Sequence, residues 1–229
     1  QIFVFVSHAH PDHFDPVIYQ WYKHGLPVSY IVSHDMPVGT RGSRLAPLQE
    51  KQLTHDIKVK AFGSTDLGVS YLVTVYGMSI FHAGDLNLWH WRAESTLKEI
   101  EEAENAFYEA MEPLRHEKID VAMFPVDPRQ GYMYDAGANH FIMTEKPRVF
   151  IPMHWQDRPE VAIEYARRNR NPQTEVVSLT RAGTIANLTF SDEVLDIHII
   201  EPPKDIDDTL YPVRKPGSSE ADPFMDTDL

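Results

Sequence analysis

The stretch that decides the fold is SHAHPDH, residues 7–13, which directly follows the apolar run IFVFV at residues 2–6. It places three histidines and one aspartate within six positions, after a segment whose β-branched and aromatic residues predict a buried strand. His8 and His10 alternate on an extended backbone, so both imidazoles can point the same way. Imidazole and carboxylate groups are ligands that zinc and neighbouring divalent metals accept. The stretch therefore predicts a metal site at the end of a strand.

This stretch resembles the HxHxDH signature of the metallo-β-lactamase-fold metallohydrolases. In that family two further ligands follow at later strand ends, first an aspartate shared by two metals and then a histidine. The sequence offers both in that order, with Asp85 after the apolar strand MSIF and His154 after RVFIPM. The resemblance covers residues 2–155, and the segments GSTDLGVSYLV, HAGDLN and IPMHW are similar to lactonase-like and phosphodiesterase-like branches.

The resemblance implies a complete set of ligands and a chemistry. Two metals about 3.5–4 Å apart could hold a hydroxide between them and clamp a substrate oxygen. The implied cofactor is one or two zinc ions, with manganese as an alternative, and Asp12 and Asp85 are the implied catalytic carboxylates. The ligands divide between the metals as follows: His8 and His10 for the first, Asp12, His13 and His154 for the second, and Asp85 as the bridge.

The chain departs from the family pattern at one position. The family usually supplies a third histidine to the first metal from a loop that here reads GSTDLG, residues 63–68. Ser64 stands about where that histidine would be, and Asp66 is the nearest strong ligand. The first metal is therefore expected to be weakly bound or absent, or its ligand set is expected to be completed by Asp66 or water.

Three residues are predicted to contact substrate. Arg92 could pair with a phosphate or carboxylate, and Asp66 and His140 complete this set. For His140 the competing interpretation is a polar position on a short helix. His82 lies three residues before Asp85, where it either orients a ligand or is a packed histidine.

Composition limits the classes of function. The formal net charge of −13 opposes nonspecific binding to nucleic acid, which needs a Lys/Arg surface. The absence of cysteine excludes disulfides and thiolate ligands. The sequence has no apolar run near the roughly 20 residues that span a bilayer and no recognisable signal peptide. We expect a cytoplasmic protein with a small-molecule substrate and no nucleic-acid or membrane partner; its oligomeric state stays open.

Local patterns predict how the chain is organised. Helices alternate with strands and hairpins, which is typical of a layered α/β protein. We expect a helix from Asp15-Pro16 to Gly25, mostly irregular chain over residues 33–56, and a helix over 95–112 capped by Ser95. TEVVSL, residues 174–179, is predicted to be a strand.

The resemblance makes the fold class more specific. It implies an αββα sandwich of mixed sheets flanked by helices, here without the strands that usually precede HxHxDH, so the chain is expected to be a fragment, a trimmed chain or a renumbered chain. Residues 1–201 would form the hydrolase domain. Residues 202–229, with five prolines and seven acidic residues, are predicted to be a loosely packed or disordered tail.

The expected function is hydrolysis of a small ester, lactone or phosphodiester, expected to be anionic, by a metal-activated hydroxide. The sequence contains no GxSxG elbow and no cysteine nucleophile, which favours a metal-activated nucleophile. A nuclease-like phosphodiesterase acting on RNA or DNA is one alternative. A degenerate, non-catalytic metal-binding module is another, because the third histidine of the first metal is missing.

Overall fold

The computed structural model describes residues 1–25, 27–169, 171–191 and 195–203. Nearly all of the predicted tail, residues 204–229, lies outside the described residues. The predicted division into a hydrolase domain and a tail therefore stays a prediction.

A large sheet of seven strands forms the centre of the described structure. Four neighbouring strands at one side of this sheet are parallel, and the remaining pairs are antiparallel. The carboxyl ends of the parallel strands therefore meet at one edge, where polar side chains can be brought together. Numbered in chain order, the strands run across the sheet as β10 (Glu175–Val176), β9 (Val149–Met153), β8 (Val121–Pro125), β7 (Met78–His82), β6 (Ser70–Val75), β5 (Ile57–Phe62) and β4 (Glu50–Thr54).

Two smaller units cover one face of the large sheet. One is a parallel sheet of β1 (Ile2–Val6), β2 (Val28–Ser33) and β3 (Ser43–Leu45), and the other is the antiparallel hairpin of β11 (Ile185–Phe190) and β12 (Leu195–Ile200). The parallel sheet buries its apolar side chains against β5 and β6, and the hairpin packs against β7, β8 and β9.

Helices cover the outer faces. The helices α1 (Leu97–Met111), α2 (Ala136–Glu145) and α3 (Pro159–Arg168) pack on the other face of the large sheet, around a core of phenylalanines from β7, β8 and β9. The 3₁₀ helix Pro16–His24 packs against the outer face of the three-stranded sheet. The layers thus follow the order helix, sheet, sheet, helix, and the predicted αββα arrangement is confirmed.

Residues 33–56, predicted to be mostly irregular, contain two short strands, β3 and β4, which the prediction did not include. The sequence of β4, EKQLT, has no apolar alternation, since this edge strand is largely exposed. Its pairing with β5 is a tertiary contact that periodicity does not reveal.

Other boundaries shift slightly. The helix that follows Asp15 is 3₁₀ rather than α, and it ends at Gly25 as predicted. Thr96, not Ser95, caps α1, because Thr96 and Glu99 exchange the two hydrogen bonds of a capping box. The strand predicted over residues 174–179 shrinks to Glu175–Val176.

Among the helices of the described residues, none has the length and apolar character needed to cross a bilayer.

Candidate metal centre

The predicted ligands meet at the edge of the large sheet where its parallel strands end. Asp85 lies three residues beyond β7, and His154 directly follows β9. His8 lies two residues beyond β1. This strand belongs to the three-stranded sheet, which packs against β5 and β6 of the large sheet. The strand order therefore brings residues from three distant parts of the sequence to one place.

Asp85 lies at the centre of the cluster and is buried. Its Oδ2 lies 3.2 Å from His8 Nε2 and 3.8 Å from His10 Nδ1. Its Oδ1 lies 3.0 Å from His13 Nε2 and 3.2 Å from His154 Nε2. The two oxygens of one carboxylate thus face two different pairs of imidazoles, which suits a residue shared between two metal positions.

The possible ligand atoms form two groups, and within each group all atoms lie within 4.8 Å of one another. The first group is His8, His10 and Asp85. The second group is Asp12, His13 and His154. These are the two sets that the resemblance implies, with the central carboxylate counted in the first.

The donor set fits a divalent metal. Imidazole nitrogens and carboxylate oxygens suit first-row divalent ions. Asp85 Oδ1 and His154 Nε2 are buried, yet neither finds a hydrogen-bond partner among the described residues. Unpaired buried polar atoms are costly, and a cation bound between them would satisfy both.

The loop at residues 63–68 lies against the ligands without contributing to either group. Asp66 is exposed and belongs to neither group. Thr65 Oγ1 accepts a hydrogen bond from the Asn87 backbone N–H and donates one to the Asn87 carbonyl. These bonds fasten the loop to the chain just beyond Asp85.

Gly68 allows this loop to approach the first histidine closely. Its φ is +79°, and a Cβ there would lie 1.9 Å from the Ser7 carbonyl oxygen and 2.6 Å from His8 Cβ. The Gly68 backbone N–H donates to Asp35 Oδ2 at 2.9 Å. The absence of a side chain is therefore a steric requirement of the site.

Solved structures share this architecture. A provisionally assigned metal-dependent hydrolase from Parabacteroides distasonis ATCC 8503 superposes with a TM-score of 0.52, at 16% identity over 77% of this chain and 74% of that one. The metallo-β-lactamase fold protein YhfI from Bacillus subtilis gives a TM-score of 0.51, at 11% identity over 78% of this chain and 74% of that one. The chain has the metallo-β-lactamase fold.

This metallo-β-lactamase fold also occurs in a protein of different chemistry. The E377D mutant of the CmlA beta-hydroxylase superposes with a TM-score of 0.52 at 11% identity, over 78% of this chain but 43% of that protein. No protein-family model and no curated protein sequence matches the chain. These similarities therefore establish the fold, whereas the chemistry depends on the residues of the site.

The charges of the central residues depend strongly on one another. Burial raises the pKa of Asp85, but the surrounding imidazoles, above all His13, outweigh it and hold that pKa well below its usual range. Burial lowers the pKa of His154, but the hydrogen bond with Asp127 and the nearby charge of Asp85 outweigh it and raise that pKa to about 9. Without a metal, His154 is therefore protonated at neutral pH, and metal binding has to displace that proton.

Asp127 is a site residue that sequence reasoning missed. It is fully buried two residues beyond β8, and its Oδ2 lies 2.8 Å from His154 Nδ1. Burial raises its pKa, but hydrogen bonds from His154 and Arg129 outweigh that effect and lower the pKa to about 2. The available signal was a carboxylate after the buried strand IDVAMFPV, which lies between the strands that carry Asp85 and His154.

Two of the residues predicted to contact substrate, Arg92 and His140, are not members of either ligand group. Arg92 is exposed on the loop before α1. His140 packs against Phe107 and Tyr108 of α1, with ring centroids 5.5 Å and 5.0 Å away. The His140 side chain therefore lies in the helix layer, against α1, and its role in substrate binding stays a prediction.

Trp89 and His82 lie closer to the centre. The Trp89 indole N–H donates to the Asp85 carbonyl at 2.7 Å, and its ring centroid lies 5.7 Å from that of His154. His82 Nδ1 accepts a hydrogen bond from the Gly84 backbone N–H at 3.1 Å. Burial, together with the nearby His13, lowers the pKa of His82 to about 4, so this imidazole is neutral at pH 7.

A half-open cavity of about 430 Å³ adjoins the second group, between the three-stranded sheet and the large sheet. Its walls are mainly apolar, and its polar lining includes two of the candidate ligands. The lining residues are Phe5, Ser7, Asp12, His13, Tyr71, Val73, Ile80, His82 and Met123.

Proposed function

We propose that this protein is a metal-dependent hydrolase of a small ester, lactone or phosphodiester. The observation that carries the proposal is the buried Asp85, whose two oxygens face separate pairs of imidazoles. The proposed metal ligands are His8, His10, Asp12, His13, Asp85 and His154.

Each ligand has a role that its position supports. Asp85 provides the negative charge that offsets two cations, and its burial strengthens that electrostatic effect. The Asp12 side chain is 51% exposed and lies 3.6 Å from His13 Nε2, so it borders both the second group and solvent. We assign to Asp12 the orientation of an attacking water and the acceptance of its proton. A bound divalent metal supplies Lewis acidity and lowers the pKa of water towards neutrality.

Zinc is the proposed metal, with one or two ions bound and manganese as the alternative. Four imidazoles and two carboxylates form a set of ligands that zinc accepts readily. Because the fold is shared with a beta-hydroxylase, the fold alone does not choose between zinc and a redox metal. Elemental analysis of the purified protein makes that choice directly.

The proposed substrate is small and anionic. The chain's net charge of −13 disfavours nucleic acid and other extended anions. Bound metals would create a positive field around the ligand groups, which would favour a small anion there despite the negative charge of the chain. A cytoplasmic location and the absence of a nucleic-acid partner remain part of this proposal.

The test is a panel of lactones, small phosphodiesters and short RNAs, given to protein whose metal content has been measured. We expect turnover of at least one small substrate, loss of that turnover with a chelator, and recovery with zinc or manganese. A double variant, H13A with H154A, should lose both metal and activity.

Three results would contradict the proposal. Turnover of RNA alone would favour the nuclease alternative. Full zinc occupancy without any turnover would favour a non-catalytic metal-binding module. Stoichiometric iron with oxygen consumption would indicate redox chemistry instead of hydrolysis.

A further inference from the structure

We propose that Asp127 positions His154 for metal binding and that Arg129 holds Asp127 in place. The inference rests on the proposed metal centre but does not depend on the hydrolytic reaction. Asp127 belongs to neither ligand group, and its contact with the metal position would run through the imidazole of His154.

The geometry places His154 between two carboxylates. Its Nδ1 lies 2.8 Å from Asp127 Oδ2, and its Nε2 lies 3.2 Å from Asp85 Oδ1. The ring is nearly buried, and its backbone φ is +64°, a left-handed conformation that is unusual for a residue other than glycine. This strained backbone conformation persists only if surrounding contacts hold the residue in place. The contact between Asp127 and the His154 ring is one of them.

The chemistry of the contact fixes the tautomer. An ionised carboxylate can accept hydrogen bonds but cannot donate them. Asp127 therefore requires the proton to be on His154 Nδ1, which leaves the Nε2 lone pair directed towards the ligand group. The Gln156 side-chain amide, the other neighbour of Nδ1, lies farther away at 3.4 Å.

Arg129 fixes the orientation of the carboxylate. Asp127 Oδ1 accepts from the Arg129 backbone N–H at 2.9 Å and from its Nε at 3.0 Å. Asp127 Oδ2 accepts from Nε at 2.9 Å and from the NH2 group of the same guanidinium. This two-pronged contact keeps the fully buried Asp127 charged and aimed, although the Arg129 side chain is itself 54% exposed.

The chain offers a matched control on the same strand. Asp120 directly precedes β8, at the opposite end from Asp127, and is also buried. It accepts a hydrogen bond from the Ser79 backbone N–H at 3.0 Å and pairs with Lys118 at 3.1 Å. Replacing either aspartate by asparagine thus neutralises a buried carboxylate, but Asp127 alone contacts a proposed ligand.

The first measurement is zinc affinity by competition with a chromophoric chelator, for the full chain and the variants D127N, R129Q and D120N. We expect D127N to weaken the affinity about 10- to 100-fold, as removal of a partner of a metal-binding histidine typically does. R129Q should weaken it less, and D120N should leave it within about threefold of the original value. Because Arg129 is largely exposed, R129Q tests the proposal even if D127N does not fold.

The second measurement reads the tautomer directly. Nitrogen NMR of ¹⁵N-histidine-labelled, zinc-loaded protein should show His154 with a protonated Nδ1 and a metal-bound Nε2, assigned by comparison with H154A. In D127N the asparagine amide can donate to Nδ1, so this signal should weaken or move. The signal should be unchanged in D120N.

The outcomes separate this inference from the proposed function. D127N and R129Q with unchanged affinity and an unchanged His154 signal would overturn the positioning role. Equal losses of zinc affinity in D127N and D120N would also overturn the positioning role, because they would indicate a general effect of removing a buried charge. Zinc binding by the original chain without hydrolysis of any substrate would overturn the proposed function and leave the positioning role standing.

Discussion

The two ligand groups differ in how firmly the protein holds them. In the second group His154 is fixed by Asp127, which is fixed in turn by Arg129. In the first group His8 Nδ1 contacts the Ser7 hydroxyl at 3.0 Å, and the His10 side chain is 40% exposed. A charged partner holds a ligand more strongly than a hydroxyl does. We therefore expect the second group to bind the tighter metal.

The largest effect is expected from removing Asp85, the residue proposed to be shared by both metal positions. D85A takes away the buried carboxylate on which four imidazoles converge. The first group then has no carboxylate, and the second group keeps only the half-exposed Asp12. We expect elemental analysis of purified D85A to show essentially no bound zinc. The matched control is D66A, which removes an exposed carboxylate that belongs to neither group. A lower zinc content in D66A would instead support the prediction that Asp66 completes the first group.

The expected difference in metal affinity between the two ligand groups is tested by titrating the metal-free chain with zinc. We expect one tight and one weak site, differing in affinity by about tenfold or more, which is the size of effect typical of partners that orient a ligand. H154A should abolish the tight site, and H10A should remove the weak one while sparing the tight one. Two sites of equal affinity, or loss of the tight site in H10A, would show that the support around His154 does not decide the order of binding.

A smaller effect is expected from the loop that packs on the first group. G68A puts a Cβ 1.9 Å from the Ser7 carbonyl oxygen, so backbone has to move beside His8. We expect a loss in the free energy of unfolding of about 2–4 kcal/mol, measured by urea denaturation, from strained backbone plus overpacking. The matched control is G25A: Gly25 has a similar φ of +76°, but a Cβ at that position would meet none of the described residues within 4 Å. It should cost about 1 kcal/mol, and equal losses in the two variants would show that the close approach is unimportant.

The sequence can nominate candidate ligands because their signal is local. His8, Asp85 and His154 each lie within three residues of the end of a strand, so the order of strands and polar residues along the chain is enough to nominate them. Asp127 follows the same rule, but it lies outside the HxHxDH pattern, and the strand order that places it between Asp85 and His154 is a property of the folded sheet.

Other features depend on contacts that local patterns do not contain. The exposed edge strand β4 has no apolar period, and its structure comes from pairing with β5. His140 is correctly predicted to lie on a short helix, but which face of α2 meets α1 is decided by packing. The buried hydrogen bond between the side-chain amides of Asn87 and Gln130 joins segments 43 positions apart, a pairing that no local pattern contains.

The smallest expected effect concerns His82, which lies beside the second group without belonging to it. The residue is largely buried and neutral, with its Nδ1 occupied by the Gly84 backbone N–H. Burial and the nearby His13 lower its pKa to about 4 from the ordinary 6.5. Between these two pH values the unfolded chain binds a proton that the folded chain does not, so stability falls as the pH drops through this window.

Replacing His82 with glutamine should make the metal-free protein less sensitive to acid. Glutamine can still accept the hydrogen bond from Gly84 but does not titrate, so the stability lost between pH 6.5 and pH 4 should shrink by up to about 3 kcal/mol. Urea denaturation in the presence of a chelator, repeated across this pH range, measures the difference. The control is H55Q, since the His55 side chain is 96% exposed and should leave the slope unchanged. If the free energy of unfolding of H82Q falls with pH as steeply as that of the original chain, the acid sensitivity arises from the candidate ligands themselves.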